Sequence, residues 1–316
     1  MPMTAVAEST GKFRRQWLGA VITSLLFLIV CISWGTTWLG IKIAVETVPP
    51  LTASGLRFLI AFPLFLCFAL MRGDSIFFPR GGGGFFIFVT LSYFSLPYYL
   101  LNYGETHVSS GLTALLFSCM PVFILIFSSI FLRERIYLTQ VMGIAIGFGS
   151  LFMILRGQGL NFEQSEFFGV LAILAAAVMH ALCYVVTKQK GAEISVITYN
   201  TIPIGLSGLM LFLVGLGVEQ PDFASFSSSS WWALIYLGLF ASVGGFIVYF
   251  FLLKRLSPVI LSFVFIIFPV FAVTIGSWYE GQPISHDLAF YSALLLTGFA
   301  ITKVPMEKFL AKRLTP

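Results

Sequence analysis

Charge is what this sequence has least of. Asp, Glu, Lys and Arg make up 10% of the 316 residues, against about a quarter in a soluble domain whose surface water must solvate. That shortage excludes a water-exposed globule. Cysteine is scarce too: Cys31, Cys67, Cys119 and Cys183 each fall inside an apolar run. With no CxxC pair and no Cys/His ligand spacing, neither a disulfide framework nor a metal site is expected, and no cofactor is called for. Such thiols pack as small hydrophobes. Aspartate is absent from the interior of every apolar run, Asp287 standing at the very start of the last one, and His107, His180 and His286 lie far apart along the chain. Intramembrane proteolysis would want paired carboxylates or an HExxH helix, so the chain reads as a non-enzyme, with an intramembrane enzyme the weakest alternative. A net charge of +5 could suggest nucleic acid, but the cations are dispersed in short loops rather than gathered on one face, and no nucleic-acid partner is expected. No ring of charges or carbonyl filter marks a channel.

What is present is hydrocarbon. Hydrophobic residues make up 58% of the chain and the mean hydropathy is +0.97. Apolar runs lie at 17–40, 52–71, 83–103, 109–131, 138–156, 166–188, 195–216, 230–253, 258–278 and 285–306. Each is near the roughly 20 residues that span a bilayer as a helix. Turn signals such as Pro49-Pro50, Arg72-Gly73-Asp74 and Gly281-Gln282-Pro283 separate them. Residues 1–16 and 307–316 read as short polar tails. The first run is followed by many others, so it is a span and not a cleaved signal.

The cations test the count. If the spans alternate from an inside N-terminus, 15 of the 18 Lys and Arg fall on one side, leaving only Lys42, Arg57 and Arg156 on the other. The positive-inside bias therefore predicts ten transmembrane helices with both termini cytoplasmic. The expected protein is an all-α, multi-pass protein of the plasma (inner) membrane. Its partners are the lipid bilayer and a small-molecule substrate, and a monomer suffices.

The two halves resemble each other. Met120-Pro121-Val122-Phe123 matches Phe268-Pro269-Val270-Phe271, 148 residues on, and the same shift carries Ser109 to Ser257 and Glu134 to Gln282. Residues 17–156 and 166–306 thus form two repeats of five spans. An odd number of spans forces the second repeat to enter the membrane upside down. Inverted repeats of this kind are typical of alternating-access carriers, with the substrate site between them near the midplane.

The motifs also have a familiar order. Ser33-Trp34-Gly35-Thr36-Thr37-Trp38 and Ile41-Lys42-Ile43-Ala44 lead through Pro49-Pro50-Leu51-Thr52 to Leu56-Arg57-Phe58. Pro121-Val122-Phe123 precedes Leu132-Arg133-Glu134-Arg135, and Pro269-Val270-Phe271 precedes Tyr279-Glu280-Gly281. From about residue 25 to residue 302 this series resembles the ten-helix EamA-like branch of the drug/metabolite transporter superfamily. Gln282 departs from it, since the family usually has an acidic residue there. The resemblance implies transport, mostly export of amino acids and other small metabolites, in some members import of nucleotides or vitamins. It does not identify the cargo.

Polar groups at depth are the functional candidates, because an unpaired one is costly in hydrocarbon. His180 stands out near the centre of the sixth span and corresponds to Trp34 in the first repeat. It reads equally as a packing residue or as a cavity residue able to titrate. Around it, Trp34, Thr37, Tyr98, Asn102, Ser118, Tyr184, Ser242 and Tyr249 are the candidate cavity residues, combining rings with hydroxyls and an amide. Arg57 is read as a structural pairing residue in the second span, and Lys42 as the partner of Glu46 one turn on. Pro121 and Pro269 free backbone carbonyls, and Gly244 and Gly245 permit close helix approach; all four are gating candidates. The working expectation is a carrier of a small organic metabolite, an amino acid first and a vitamin or nucleotide-type metabolite as the alternative.

Overall fold

The computed structural model describes residues 3–157, 164–191, 193–253, 255–256 and 264–302. Ten helices run through them: α1 (Met3–Val45), α2 (Pro50–Arg72), α3 (Gly83–His107), α4 (Ser110–Phe131), α5 (Leu138–Gly157), α6 (Gln164–Lys190), α7 (Val196–Val218), α8 (Ser228–Tyr249, helical on to Leu253), α9 (Val264–Tyr279) and α10 (His286–Thr302). No strand occurs among the described residues. Eight of these helices are long and apolar enough to cross a bilayer, and α9 is a shorter apolar one. In hydrocarbon only a helix satisfies every backbone group within one segment. The protein is an all-α, multi-pass membrane protein.

Helix starts follow local chemistry. Ser109 and Ser195 accept from the amides of Leu112 and Thr198 at the openings of α4 and α7, side-chain caps of the usual kind. The chain leaves α2 at Gly73, whose φ of 67° returns its amide to the Leu70 carbonyl, a left-handed stop that glycine adopts freely. The helical backbone of α1 begins at Met3, within the stretch read as a polar tail, and α3 runs to His107, one turn past the expected end. The tail 307–316, Ser257, the opening of the ninth run at 258–263, the end of the tenth at 303–306, and Lys254, Lys303, Lys308, Lys312 and Arg313 lie outside the described residues.

The packing carries an internal two-fold. α2 lies against α7 and α5 against α10, the equivalent helices of the two halves. In the first pair Gly55 meets Phe212, Gly208 meets Phe58 and Gly205 meets Phe62. Numbers rise along one helix as they fall along the other, so the pair is antiparallel. In the second pair Gly143 faces Gly298 and Thr302, and Gly147 faces Phe299, with the same sense. Equivalent helices crossing antiparallel require the second half to be inverted. Further contacts follow the same exchange: α3 and α4 pack on α6, as α8 and α9 pack on α1.

One departure from regular helix is also duplicated. α3 widens into a π-type turn over Thr90–Ser95, and α8 does so over Leu237–Gly244. In each, a serine hydroxyl donates to the carbonyl five residues back: Ser95 to Thr90 and Ser242 to Leu237, both at 2.8 Å. The hydroxyl holds the extra residue of the turn in place. Such bulges concentrate at functional sites. Both are pinned to the α2–α7 pair, Ser95 by Ser207 at 3.0 Å and Ser242 by Nε of Arg57 at 3.2 Å.

Candidate functional site

A cavity of about 220 Å³ lies between the halves, bounded by α1, α2, α3, α4, α6, α8 and α9. This is many times the room of one water molecule. Its walls are mostly rings, with a few convergent polar groups, the usual make-up of a small-molecule site. It is built by the repeat. Trp34 of α1 packs on Tyr249, Phe246 and Phe265, with centroids 5.1, 6.1 and 5.8 Å away. His180 of α6 packs on Tyr93, Tyr98 and Phe117, at 4.8, 5.5 and 5.4 Å. The shift of 148 residues carries Tyr98 to Phe246 and Phe117 to Phe265. Trp34 and His180 therefore occupy equivalent berths, one in each half.

His180 is buried, and its Nδ1 lies 2.9 Å from the Ala176 carbonyl of its own helix. His180 also lines the cavity, so it packs and lines at once. Trp38 leans on Phe117 and Phe268 at 5.1 and 6.0 Å, and its indole nitrogen has no hydrogen-bond partner among the described residues. Gly245 clears room for this wall: a Cβ there would stand 2.5 Å from Nε1 of Trp34. Gly244 has no such role, since the nearest atom to a Cβ at that position is 3.7 Å away.

Arg57 is the charge of the cavity. It is 4% exposed, its Nε donates to Ser242, its guanidinium lies 5.1 Å from the Tyr98 ring centre, and among the described residues its Nη1 has no hydrogen-bond partner. No carboxylate pairs with it; the ion pairs among the described residues are Arg72–Asp74 and Lys188–Glu134. The expected structural contact is thus present and leaves Nη1, at the cavity wall, without a hydrogen-bond partner among the described residues.

Of the sequence-derived candidates, Trp34, Thr37, Tyr98, His180, Tyr184 and Tyr249 line the cavity. Asn102, Ser118 and Ser242 do not. The Asn102 amide donates to Ser54 and to the Pro50 carbonyl, tying α3 to the start of α2. Ser118 donates to Ala114 at 2.7 Å, at the break in α4 that precedes Pro121. Ser242 holds its bulge and Arg57. Each polar group is spent on backbone or on a neighbour, as buried hydroxyls and amides in membranes commonly are. Pro269 is buried within α9.

Lys42 also differs from expectation. Its Nζ donates to the carbonyls of Glu105 and Val108, at 2.8 and 3.0 Å, while Glu46 is exposed with the Tyr279 hydroxyl 3.5 Å away. Two bare carbonyls at the end of α3, where the helix leaves them without intrahelical donors, outcompete a surface carboxylate one turn along.

The cavity shares walls with a second one toward one membrane face and is capped by packed residues toward the other. Tyr93, Tyr184 and Phe246 are shared with a second cavity of about 420 Å³ that reaches Lys188, Gly191 and Ile194, on the membrane face where the N-terminus lies. Toward the far face it is floored by Ile41, Leu101, Phe117 and Phe268. Beyond that floor the halves are stitched by two carboxylates. Glu219 accepts from the amides of Leu51 and Thr52 and from the Thr52 hydroxyl, at 2.8, 2.9 and 2.8 Å. Glu280 accepts from the amide and hydroxyl of Ser110 at 2.9 and 2.7 Å. Both sit at helix N-termini, where an anion is favoured.

Sequence reasoning missed Glu105. It is fully buried in α3, and neither carboxylate oxygen has a hydrogen-bond partner among the described residues. Its signal was available: Glu105 follows Leu101 by four residues and so continues the cavity face of the same helix.

Comparison with known proteins places this geometry in context. The model of the EamA-like transporter family matches residues 21–156 and again residues 167–303. Protein PagO of Salmonella typhimurium is 39% identical over 90% of this chain and 93% of its own length. An uncharacterized transporter of Buchnera aphidicola subsp. Schizaphis graminum is 37% identical over 92% and 96%. The inner membrane transporter YedA of Escherichia coli strain K12 is 29% identical over 88% and 89%. One solved crystal structure shares the fold with a TM-score of 0.65 at 20% identity, over 94% of this chain and 99% of that one.

Proposed function

The chain belongs to the EamA-like transporter family, and from that premise we propose that it moves a small carboxylate-bearing metabolite, an amino acid first, by alternating access around the aromatic cavity. The observation that carries this reading is the Arg57 guanidinium, buried at the cavity wall with Nη1 unpartnered. A buried cation without its counter-charge is costly, and a carboxylate received by the planar fork would relieve it with paired, charge-assisted hydrogen bonds. The rings of Trp34, Trp38 and Tyr249 offer apolar area to a side chain and electron-rich faces to an ammonium group.

Alternating access is supported by the inverted halves, with the cavity adjoining a second one toward the N-terminal face and capped at the far one. The charge tally favours a cytosolic N-terminal face, so the structure corresponds to an inward-facing state, the one from which an exporter would load its cargo. YedA is named an inner membrane transporter, which supports the same membrane here, and transporter names among the relatives favour carriage over catalysis.

The cavity contains its own reporter. Adding an amino acid to the purified protein in nanodiscs is expected to change tryptophan emission saturably, and Trp34→Phe should remove most of that change. A panel of neutral, aromatic and basic amino acids that leaves the wild-type emission unchanged would contradict the proposal.

A further inference from the structure

Among the described residues Glu105 is the one buried carboxylate, and the cargo site does not explain its placement. It sits on α3 one turn beyond Leu101, and Lys42 sits on α1 one residue beyond Ile41; Leu101 and Ile41 are floor residues of the cavity. Glu105 thus lies just behind the floor, on the closed side, where the ends of α1, α3, α4 and α9 meet. It has no exposed surface, and among the described residues neither of its oxygens has a hydrogen-bond partner.

Among the described residues the charged groups that act on it are Lys42 of α1 and Glu280 at the end of α9; α2, α4, α6 and α7, which also pack against α3, add none there. Lys42 does not close on the carboxylate, because its ammonium is anchored to the Glu105 and Val108 carbonyls, and no ion pair forms between the two side chains. Glu280 is held by Ser110.

We infer that Glu105 is a proton-binding site: it holds a proton while the far face is closed and releases it to the water that enters when the halves part on that face. A bare carboxylate walled into hydrocarbon without a donor is among the most costly arrangements in a membrane protein. Protonation removes that cost, and so does hydration. A metal cation is disfavoured as the ligand because the carbonyls it would need already hold the Lys42 ammonium, and no metal-ligating cluster occurs among the described residues. The step is a simple dissociation, carboxylic acid to carboxylate plus a proton taken by solvent. Its sign follows: raising pH favours the ionised, hydrated form and so favours opening of the far face. The carrier reading supplies the opening motion on which the inference rests, but the protonation itself needs no cargo.

The test therefore uses the proton alone. In infrared spectra of the protein in nanodiscs near neutral pH, wild type is expected to show a protonated-carboxyl carbonyl band that shifts in heavy water. Glu105→Gln should lack that band, and Lys42→Met should keep it. Hydrogen exchange at the amides of Ser110–Leu112, corrected for intrinsic chemistry, should rise about tenfold from mildly acidic to mildly alkaline pH in wild type and stay flat in Glu105→Gln. Amides of the α5–α10 pair serve as the folding control for both variants. A band that appears only when Lys42 is removed would mean that Glu105 is ionised and paired, overturning the inference. Exchange at Ser110–Leu112 with the same pH profile in wild type and Glu105→Gln would overturn it as well. Neither result bears on whether the cavity binds an amino acid.

Discussion

Arg57→Gln is expected to weaken binding of an amino-acid cargo about a hundredfold while leaving its decarboxylated amine almost unaffected. The basis is the unpartnered end of the guanidinium: Nε is committed to Ser242 and the face to Tyr98, but Nη1 has no acceptor among the described residues. A hydrogen bond to a charged group contributes about 1.5–3 kcal/mol, and a tenfold change in affinity is about 1.4 kcal/mol, which gives the two decades. Glutamine keeps a donor for Ser242 but cannot offer the charged fork. Arg57→Lys should fall between, because it retains the charge and loses the planar geometry. The comparison of acid with amine isolates the effect from folding. Equal losses for both would assign Arg57 to the integrity of α2 and α8 instead of to the cargo.

Gly55→Val and Gly143→Val are expected to abolish most of the folded protein. A Cβ at Gly55 would stand 2.6 Å from the backbone nitrogen of Phe212, and one at Gly143 would stand 2.5 Å from the carbonyl oxygen of Gly298. The clash is with backbone in both cases, so no rotamer change relieves it and the helices must separate. Overpacking of that kind typically costs about 1–3 kcal/mol and occasionally more. Here it also forces apart the two antiparallel pairs that join the repeats. Helices in lipid associate through close packing of small residues, with little hydrophobic drive between them, so a lost approach is not recovered elsewhere. Gly149, on the same helix as Gly143, has nothing within 4 Å of a Cβ. Gly149→Ala should leave thermal stability unchanged or slightly raised, by the helix preference of alanine. The monodisperse fraction after detergent extraction and the melting temperature measure all three. A stable, monodisperse Gly143→Val would contradict the packing described.

Much of the architecture was legible in the sequence because the membrane imposes it. Runs of spanning length and the side-to-side cation bias report the number of helices, and the repeated Pro-Val-Phe reports the duplication. Trp34 and His180 were readable as equivalents from their places in the first and sixth spans, and the fold seats them in matching aromatic berths. Other features depend on which neighbour a side chain finds. Asn102, Ser118 and Ser242 look like cavity polarity in a linear reading, yet backbone carbonyls and Arg57 claim them. The i, i+4 spacing of Lys42 and Glu46 suggests an ion pair, but the frayed carbonyl end of α3 is the stronger acceptor for Lys42. Glu105 escaped because the apolar run stops at residue 103 while the helix continues to His107. A run of hydropathy marks where lipid-facing residues end, and buried helical turns can extend past it.

The central claim is that this cavity carries cargo between the two faces, and counterflow in proteoliposomes tests it most directly. Vesicles preloaded with an unlabelled amino acid should take up the labelled one transiently and saturably. Arg57→Gln and His180→Ala, verified as folded, should reduce that uptake severalfold or more. Wild-type vesicles that show no counterflow with any carboxylate in a panel of amino acids would contradict the account.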